Sequence, residues 1–474
     1  MYNKLTQEIV DELIKIVGSN NVIYNNPEAL EAYSHDEIAE KEYAHMPEAV
    51  IKPSTAEEIS KIMKHANKYK IPVTPRGAGS GLSGGAVPVY GGIVLSFERM
   101  NKILEIDKGN LVVVVEPGVV TNEINNAVKE YNLFYAGYPM SVETCYIGGT
   151  VAENAGGGRA VKYGVTGRYV IGLEVVTPIG DIVHLGGKVM KDVTGYNLIH
   201  LMVGSEGTLG IFTKIYLRLM PLPQAKVGLL VLFHDMDTAI KIVPKIMTFG
   251  RIIPTSIEFM DDLSFKAACR YLNEKIRFEE AGAMLLIELD GNNKTELEEQ
   301  YEIIGNLCME NGAMEVYVAD NATTSERIWR IRRGIAEAWK QFSPHQSLED
   351  MVVPISEIPK FIKRVREISK KYDIPIPCYG HAGDGNIHAT PIKKPELSME
   401  KWRIKLGEVL KELYMTAKEV GGTISGEHGI GNKRKDYLPL ILEPQHIDMM
   451  KAIKKALDPN LILNPGKIFS IDEL

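Results

Sequence analysis

The stretch Pro75-Arg76-Gly77-Ala78-Gly79-Ser80-Gly81-Leu82-Ser83-Gly84-Gly85 places five glycines in nine residues, directly after the apolar run 71–74. Glycine has no Cβ, so such a loop can take positive φ, turn its N–H groups inward and let a ligand's diphosphate approach the backbone. It is not a Walker A loop, because no Gly-Lys-Ser/Thr closes it. A Rossmann fingerprint also fits poorly, since Pro88 and Gly91-Gly92 stand where a long helix should begin. Taken alone, the loop is explained as well by a plain turn.

Working outward, two further segments carry dense glycine: Ile147-Gly148-Gly149-Thr150-Val151-Ala152-Glu153-Asn154-Ala155-Gly156-Gly157-Gly158 and Gly204-Ser205-Glu206-Gly207-Thr208-Leu209-Gly210-Ile211. Each by itself fits a helix end followed by a turn. A long cofactor lying across one domain, touched by backbone at several places, explains all three together. The overall glycine excess, 43 of 474 residues against the roughly 7% average, points the same way.

The surrounding pattern is α+β. Residues 5–17 repeat apolar side chains at helical spacing and end at Gly18, a packing helix. A strand over 47–53 leads into Ser54-Thr55-Ala56-Glu57, a capping-box helix start, with an amphipathic body over 59–69. Strands are expected at 93–95, 111–115, 171–176 and 181–185, the last two joined by the hairpin turn Pro178-Ile179-Gly180, and a helix at 121–131. Met220-Pro221-Leu222-Pro223 marks a boundary, beyond which strands (226–233, 283–289) alternate with helices (237–249, 294–311). Helices are also expected from 401 to 420 and from 444 to 457, before a Pro-punctuated, turn-rich tail.

The sharpest constellation is His381-Ala382-Gly383-Asp384-Gly385-Asn386-Ile387-His388 with Ser425-Gly426-Glu427-His428-Gly429. Three histidines and a glutamate in glycine-flanked turns are the ligand types of a catalytic metal site with open positions, suited to zinc, ferrous iron or manganese. Hydrogen-bonded core histidines are the competing explanation.

Composition narrows the class. With 45% hydrophobic and 24% charged residues the chain is globular, of two or three domains. Against 61 Asp+Glu there are 54 Lys+Arg, a net charge of −7, and no basic run interleaved with aromatics, so a nucleic-acid partner has little electrostatic support. Cys145, Cys269, Cys308 and Cys378 form no C-x-x-C pair for zinc or an iron–sulfur cluster and are expected as reduced, buried thiols. No signal-peptide pattern and no apolar run of roughly 20 residues is present, so a cytoplasmic protein without a transmembrane segment is expected.

With these segments in view, the chain resembles the FAD-linked oxidases of the vanillyl-alcohol oxidase / p-cresol methylhydroxylase fold. More narrowly it is similar to the branch of D-lactate dehydrogenases, glycolate oxidases and D-2-hydroxyglutarate dehydrogenases. The likeness runs from about residue 47 to 469, and the paired segments 381–388 and 426–429 carry the branch. It implies a two-part FAD-binding domain of the p-cresol methylhydroxylase (PCMH) type and an α+β cap, or substrate, domain on a mostly antiparallel sheet. The divisions it suggests are 1–45, an N-terminal helical segment; 46–224, the FAD domain; 225–424, the cap; and 425–474, a segment returning to the FAD domain.

The resemblance also implies non-covalent FAD. Arg76, Gly77, Ala78, Gly79, Ser80, Gly81, Gly84 and Gly85 would wrap its diphosphate. Pro139, Ser141, Thr144, Gly148, Gly149, Thr150, Asn154 and Gly157 would line the isoalloxazine and ribityl parts. Glu206, Gly207 and Ile211 would meet the adenine side, and Asn464 in the tail would return to the flavin. By the same carry-over His381, His388 and Glu427 would bind one divalent metal (Fe2+, Zn2+ or Mn2+), and His428 would be the base. Arg332, Asn386 and Thr390 would meet substrate, Arg332 through its carboxylate; its competing reading is a surface arginine beside Arg330 and Arg333.

Where the 2-hydroxyglutarate enzymes carry a lysine and an asparagine, this chain has Leu348-Glu349-Asp350 and Thr390. Groups suited to a distal carboxylate are missing, which favours a small D-2-hydroxy acid, D-lactate first and glycolate next. Such an enzyme would pass hydride to flavin N5, and its electrons would leave to an electron-transfer flavoprotein or an iron–sulfur subunit. Three alternatives remain open: a non-catalytic FAD-binding electron-relay subunit, a hydrolytic metal site with the glycine loops as turns, and, more weakly, a reductase of a nucleotide-sugar enolpyruvyl ether.

Overall fold

The computed structural model describes residues 2–38 and 43–474. They form two compact units: Met1–Gly156, Val165–Leu222 and Glu427–Leu474 make the first, and Gly157–Gly164 with Pro223–Gly426 make the second.

In the first unit the helix Ala56–Tyr69 buries Ile59, Ile62, Met63 and Ala66, an i, i+3, i+4, i+7 stripe. Its cap lies one residue later than the expected Ser54–Glu57 box. The Thr55 side chain accepts from the Glu58 N–H, and Glu58 Oε2 accepts from the Ser54 N–H at 2.7 Å. The helix begins only at Ala56, so Thr55 is its cap, and the Glu58 carboxylate reaches past Thr55 to the N–H of the residue before it. The helix packs with Leu13, Ile51, Ile71, Val73 and Leu95 in one core. A four-stranded sheet runs in the order Val22–Tyr24, Ala49–Ile51, Ile93–Ser96, Val73–Arg76; the last three strands are parallel, and Val22–Tyr24 is antiparallel. Strands Ala49–Ile51 and Ile93–Ser96 are buried at every residue, as a sheet covered on both faces requires.

A second sheet of this unit, fully antiparallel, orders Ile103–Asp107, Val112–Val115, Ile211–Arg218, Val170–Val176 and Ile182–Gly186. The 178–180 turn indeed joins its last two strands, with Val176 opposite Ile182. The helix expected at 121–131 is α-helical over Thr121–Val128 and tightens to a 3-10 turn at Lys129–Tyr131. The C-terminal segment adds to the first sheet. Val73 N donates to Ile462 O at 2.8 Å, and Asn464 N donates to Val73 O at 2.7 Å. Lys454 Nζ, buried, ties the tail down through Thr208 O, Asp458 Oδ2 and Leu463 O at 2.7–2.8 Å.

Two boundaries differ from the sequence expectation. Residues 1–45 are not a separate helical segment: Leu13 lies in the core of the first unit and Val22–Tyr24 pairs with Ala49–Ile51, while positions 39–42 fall outside the described residues. Gly157–Gly164 leaves the glycine-rich stretch to join the second unit. There Arg159 meets Glu288 at 3.4 Å, Lys162 meets Asp290 at 2.5 Å, and Tyr163 donates to Asp290 Oδ2 at 2.9 Å.

The second unit is a seven-stranded, wholly antiparallel sheet. Its order is Ala313–Ala319, Ala225–Phe233, Ala283–Gly291, Ser256–Asp261, Cys378–His381, Asn386–Ala389, Glu349–Val352. Helices Asp262–Tyr271 and Ala322–Phe342 cover Leu230, Leu232, Met260, Met284 and Leu286 on one face. All four cysteines are buried free thiols, and no described helix is long and apolar enough to cross a membrane.

Candidate functional site

In the first unit, residues 77–92 join Val73–Arg76 to Ile93–Ser96, adjacent parallel strands, with no helix between them. Gly79 and Gly84 have φ of +74° and +76°, the left-handed region that a Cβ disfavours. A Cβ on Gly79 would also lie 2.2 Å from Arg76 Nη2. The Arg76 guanidinium is buried and donates to His35 O (2.7 Å) and Ala32 O (3.2 Å), so its charge braces the base of the loop. The Gly84 N–H donates to Asp36 Oδ2 at 2.8 Å. Ala78 and Gly81 are exposed, with Gly77, Gly79, Ser80 and Gly85 half-buried.

The second glycine segment faces the first. The Cβ position of Gly77 is 3.7 Å from Gly149 N, and that of Gly149 meets nothing within 4 Å. Bare backbone beside open space is what the diphosphate and ring of an FAD need, so these residues fit the cofactor that the resemblance implies. Several neighbouring side chains are engaged in hydrogen bonds to the chain's own backbone. The Thr150 hydroxyl donates to Tyr146 O (3.2 Å), Thr144 to Ser141 O (3.2 Å), and Asn154 Oδ1 accepts from Gly167 N (2.8 Å). Gly148 packs against Pro117, Pro139 is half-buried in the adjoining loop, and Ile211 lies in the core.

Glu206 and Asn464 tie the tail to this cradle. The Glu206 carboxylate accepts from Ile430 N (2.8 Å) and Gly431 N (2.6 Å), and burial holds its pKa above the usual range. Asn464 Nδ2 donates to Gly85 O (3.0 Å) and to Glu206 O (2.8 Å). Gly207, with φ +64°, makes the turn beside them. Glu427 and His428 open this returning segment, with Glu427 Oε1 3.8 Å from His428 Nε2. The Cβ position of Gly156 is 3.2 Å from Glu427 Oε2, so glycine there leaves room for the carboxylate.

In the second unit the strand ladder assembles a polar face. Directly opposed residues project to the same side, as do residues i and i+2. Glu258, His381, Asn386 and Val352 form one cross-strand row; Met260, Tyr379, His388 and Asp350 form the next. His381 Nδ1 meets Glu258 Oε1 at 2.6 Å, and the His381 and His388 rings pack edge to face at 5.4 Å. His388 Nδ1 lies 4.0 Å from Asp350 Oδ1. Arg332 is buried while Arg330 and Arg333 are exposed; its Nε donates to Glu258 Oε2 at 2.8 Å and its guanidinium stacks 4.6 Å from the Tyr379 ring. Burial alone would raise the Glu258 pKa, but His381 and Arg332 outweigh it and hold it below the usual value.

This donor set fits a divalent cation. Two imidazoles and a carboxylate on one face are the ligand types of such a site, and with Nδ1 facing Glu258, Nε2 is the nitrogen that His381 would offer to an ion. Asn386 Nδ2 donates to Asp350 Oδ1 at 2.7 Å, while its buried Oδ1 has no hydrogen-bond partner among the described residues. Thr390 is buried at the end of the same hairpin. Asp350 Oδ2 accepts from Ser425 Oγ and Gly426 N, both at 2.9 Å, and Glu427 follows Gly426 by one peptide bond.

Glu258 and Asp350 are the residues that sequence motifs miss as site members. Glu258 has one local signal: it is the carboxylate between Ile257 and Phe259 in a strand buried throughout.

Comparison with known proteins agrees with this architecture. Residues 47–186 match the FAD binding domain family, and residues 222–468 match the FAD linked oxidases, C-terminal domain. The chain is 42% identical over 468 residues to the glycolate oxidase subunit GlcD of Bacillus subtilis, covering 99% of this chain and 98% of that protein. It is 36% identical to a D-lactate dehydrogenase of Anaerostipes hadrus, with 98% of each covered, and 38% identical to one of Archaeoglobus fulgidus, covering 88% and 90%. Among solved structures, p-cresol methylhydroxylase with substrate bound superposes with a TM-score of 0.79 at 20% identity, covering 100% of this chain and 99% of that one; this likeness bears on the fold alone. With the glycine cradle, the returning tail and the antiparallel second sheet all present, the chain belongs to the FAD-linked oxidases of the vanillyl-alcohol oxidase / p-cresol methylhydroxylase fold, in the branch of the D-lactate dehydrogenases and glycolate oxidase subunits.

Proposed function

We propose that this protein is a metal-assisted dehydrogenase that oxidises a small D-2-hydroxy acid to the 2-oxo acid, with D-lactate the preferred substrate and glycolate the next. The observation that carries the reading is the buried row of Glu258, His381, Asn386 and neighbouring His388 and Asp350, with Arg332 beside it. A relay subunit without catalysis has no use for so many ionisable groups on one buried face.

In this reading bound FAD supplies the hydride acceptor, and a divalent ion held by His381, His388 and Glu427 supplies a Lewis acid for the substrate hydroxyl. Arg332 holds the substrate carboxylate through its Nη edge, because Nε is engaged by Glu258. Asn386 offers its buried Oδ1 to a substrate or ligand proton. His428 takes the hydroxyl proton on an imidazole nitrogen as the α-C–H bond breaks. Backbone N–H groups of the 77–85 and 148–154 segments hold the diphosphate without added cationic side chains, in keeping with the net charge of −7.

Selectivity for a small acid has a local basis. Glu349 is engaged by Ser347 Oγ (2.6 Å) and Tyr414 OH (2.5 Å), and Asp350 by Asn386 and Ser425, so this strand offers carboxylates rather than a cation for a second substrate carboxylate. Electrons then pass to a cytoplasmic partner, an electron-transfer flavoprotein or an iron–sulfur subunit.

The test is an anaerobic titration of the purified, metal-analysed protein with D-lactate, L-lactate and glycolate, following the visible flavin band. Bleaching by D-lactate and not by L-lactate is expected. A yellow, metal-loaded protein that none of the three bleaches would sink the substrate assignment.

A further inference from the structure

We propose that Glu258 is a positioning residue whose single carboxylate sets both the metal-ligand imidazole of His381 and the substrate-binding guanidinium of Arg332; the inference rests on the function proposed above. Its two oxygens divide between the two partners: Oε1 lies 2.6 Å from His381 Nδ1, and Oε2 lies 2.8 Å from Arg332 Nε. The residue is fully buried. Its backbone is paired on both sides, to Leu286 and to His381. On a third side the Cβ position of Gly158 is only 2.3 Å from Oε1, so the third glycine of the 156–158 run is required by this carboxylate.

Each bond does distinct work. A carboxylate on Nδ1 fixes the imidazole as the Nδ1–H tautomer, turns Nε2 outward as the ligand atom and raises its basicity. The bond to Nε fixes the guanidinium plane, already stacked on Tyr379 at 4.6 Å, and so directs its Nη edge at the substrate carboxylate. A neutral amide of the same shape cannot serve both partners, since it offers one acceptor oxygen to two N–H donors. Metal affinity and carboxylate binding are therefore set together by one residue that need touch neither the ion nor the substrate.

The experiment compares the FAD-loaded wild type with Glu258→Gln and Gly158→Ala, measuring Zn2+ affinity against a competing chelator and, separately, kcat and KM for D-lactate. In E258Q the Zn2+ Kd should rise about 10–100-fold, and KM should rise more than kcat falls. G158A, whose methyl group displaces Oε1, should move both quantities in the same direction. Unchanged Zn2+ affinity in folded E258Q, or weakened affinity with KM unaltered, overturns the two-ended role. If E258Q fails to fold, G158A decides in the same way. A wild-type protein that binds no Zn2+ and is not reduced by D-lactate instead refutes the proposed function beneath the inference, an outcome distinct from a change confined to the variants.

Discussion

Replacing Asn464 isolates the energy with which the tail is fastened to the glycine cradle. This side chain is 2% exposed; its Nδ2 donates to Gly85 O and Glu206 O, its Oδ1 accepts from Lys467 Nζ at 3.3 Å, and its backbone stands at φ +45°. In Asn464→Ala the two shorter bonds are lost, each contributing about 0.5–1.5 kcal/mol, and alanine in a left-handed conformation costs about 1–2 kcal/mol more, for a total of about 2–5 kcal/mol. Asn464→Gly loses the same bonds without the Cβ penalty and should recover about 1 kcal/mol of that. Urea unfolding of flavin-free wild type and both variants reads the differences through the midpoint at constant m-value. Asn464→Ala within 0.5 kcal/mol of wild type would show that the tail is held by its strand pairing to Val73 alone, and the staple would be refuted.

Gly79→Ala, strained at φ +74° and directed at Arg76 Nη2, should weaken FAD retention about 5–30-fold, the factor equivalent to 1–2 kcal/mol; undiminished retention in gel filtration would separate this glycine from the cradle. Burial pushes Asp261 up to about 6 from an ordinary 3.8, so its contribution to stability is full below pH 3.8 and is lost as pH rises through 6. Asp261→Asn keeps an acceptor for Ser264 N and removes the ionisation; the wild type should lose up to about 3 kcal/mol relative to the variant between pH 4 and 7, and parallel stability curves would contradict this. Lys454→Met strands three buried acceptors, one of them the Asp458 carboxylate, and should destabilise by about 3–5 kcal/mol in the same urea assay, a loss below 1 kcal/mol counting against the anchor. Dialysis against a chelator should abolish flavin reduction by D-lactate while the flavin stays bound, and undiminished reduction after verified metal loss would exclude the Lewis-acid role.

Local chemistry made much of the fold legible. The helix at 56–69, the turn at 178–180 and the helix Pro444–Leu457 follow from caps, apolar spacing and Pro/Gly chemistry, which neighbouring residues alone determine. The cap register slipped by one because Ser54 and Thr55 are both competent, and Glu58 as well as Glu57 could close the box. Residues 157–164 could not be assigned from sequence. Their glycines resemble the rest of the cofactor-type stretch, and the partners that place them in the second unit, Glu288 and Asp290 against Arg159 and Lys162 among them, lie more than 120 residues away.

The polar face was harder to foresee for a geometric reason. Glu258, Arg332, Asp350, His381 and the pair Asn386 and His388 come from five elements, and the strand residues among them meet only because four strands align two cross-strand rows. A register slip of one residue would send every member of a strand to the opposite face. What guards the register between the two histidine strands is local and visible. The Gly385 N–H donates to His381 O at 3.0 Å, Asp384 Oδ1 accepts from Asn386 N at 3.2 Å, and Gly385, at φ +86°, would place a Cβ 2.0 Å from Val353 O. The glycines around Asp384 therefore mark more than a flexible turn. They hold the hairpin in the one pairing that puts His381 and His388 on the face where Glu258 and Asp350 wait, and so a motif that spells only its histidines also specifies, through its turn, which distant carboxylates those histidines meet.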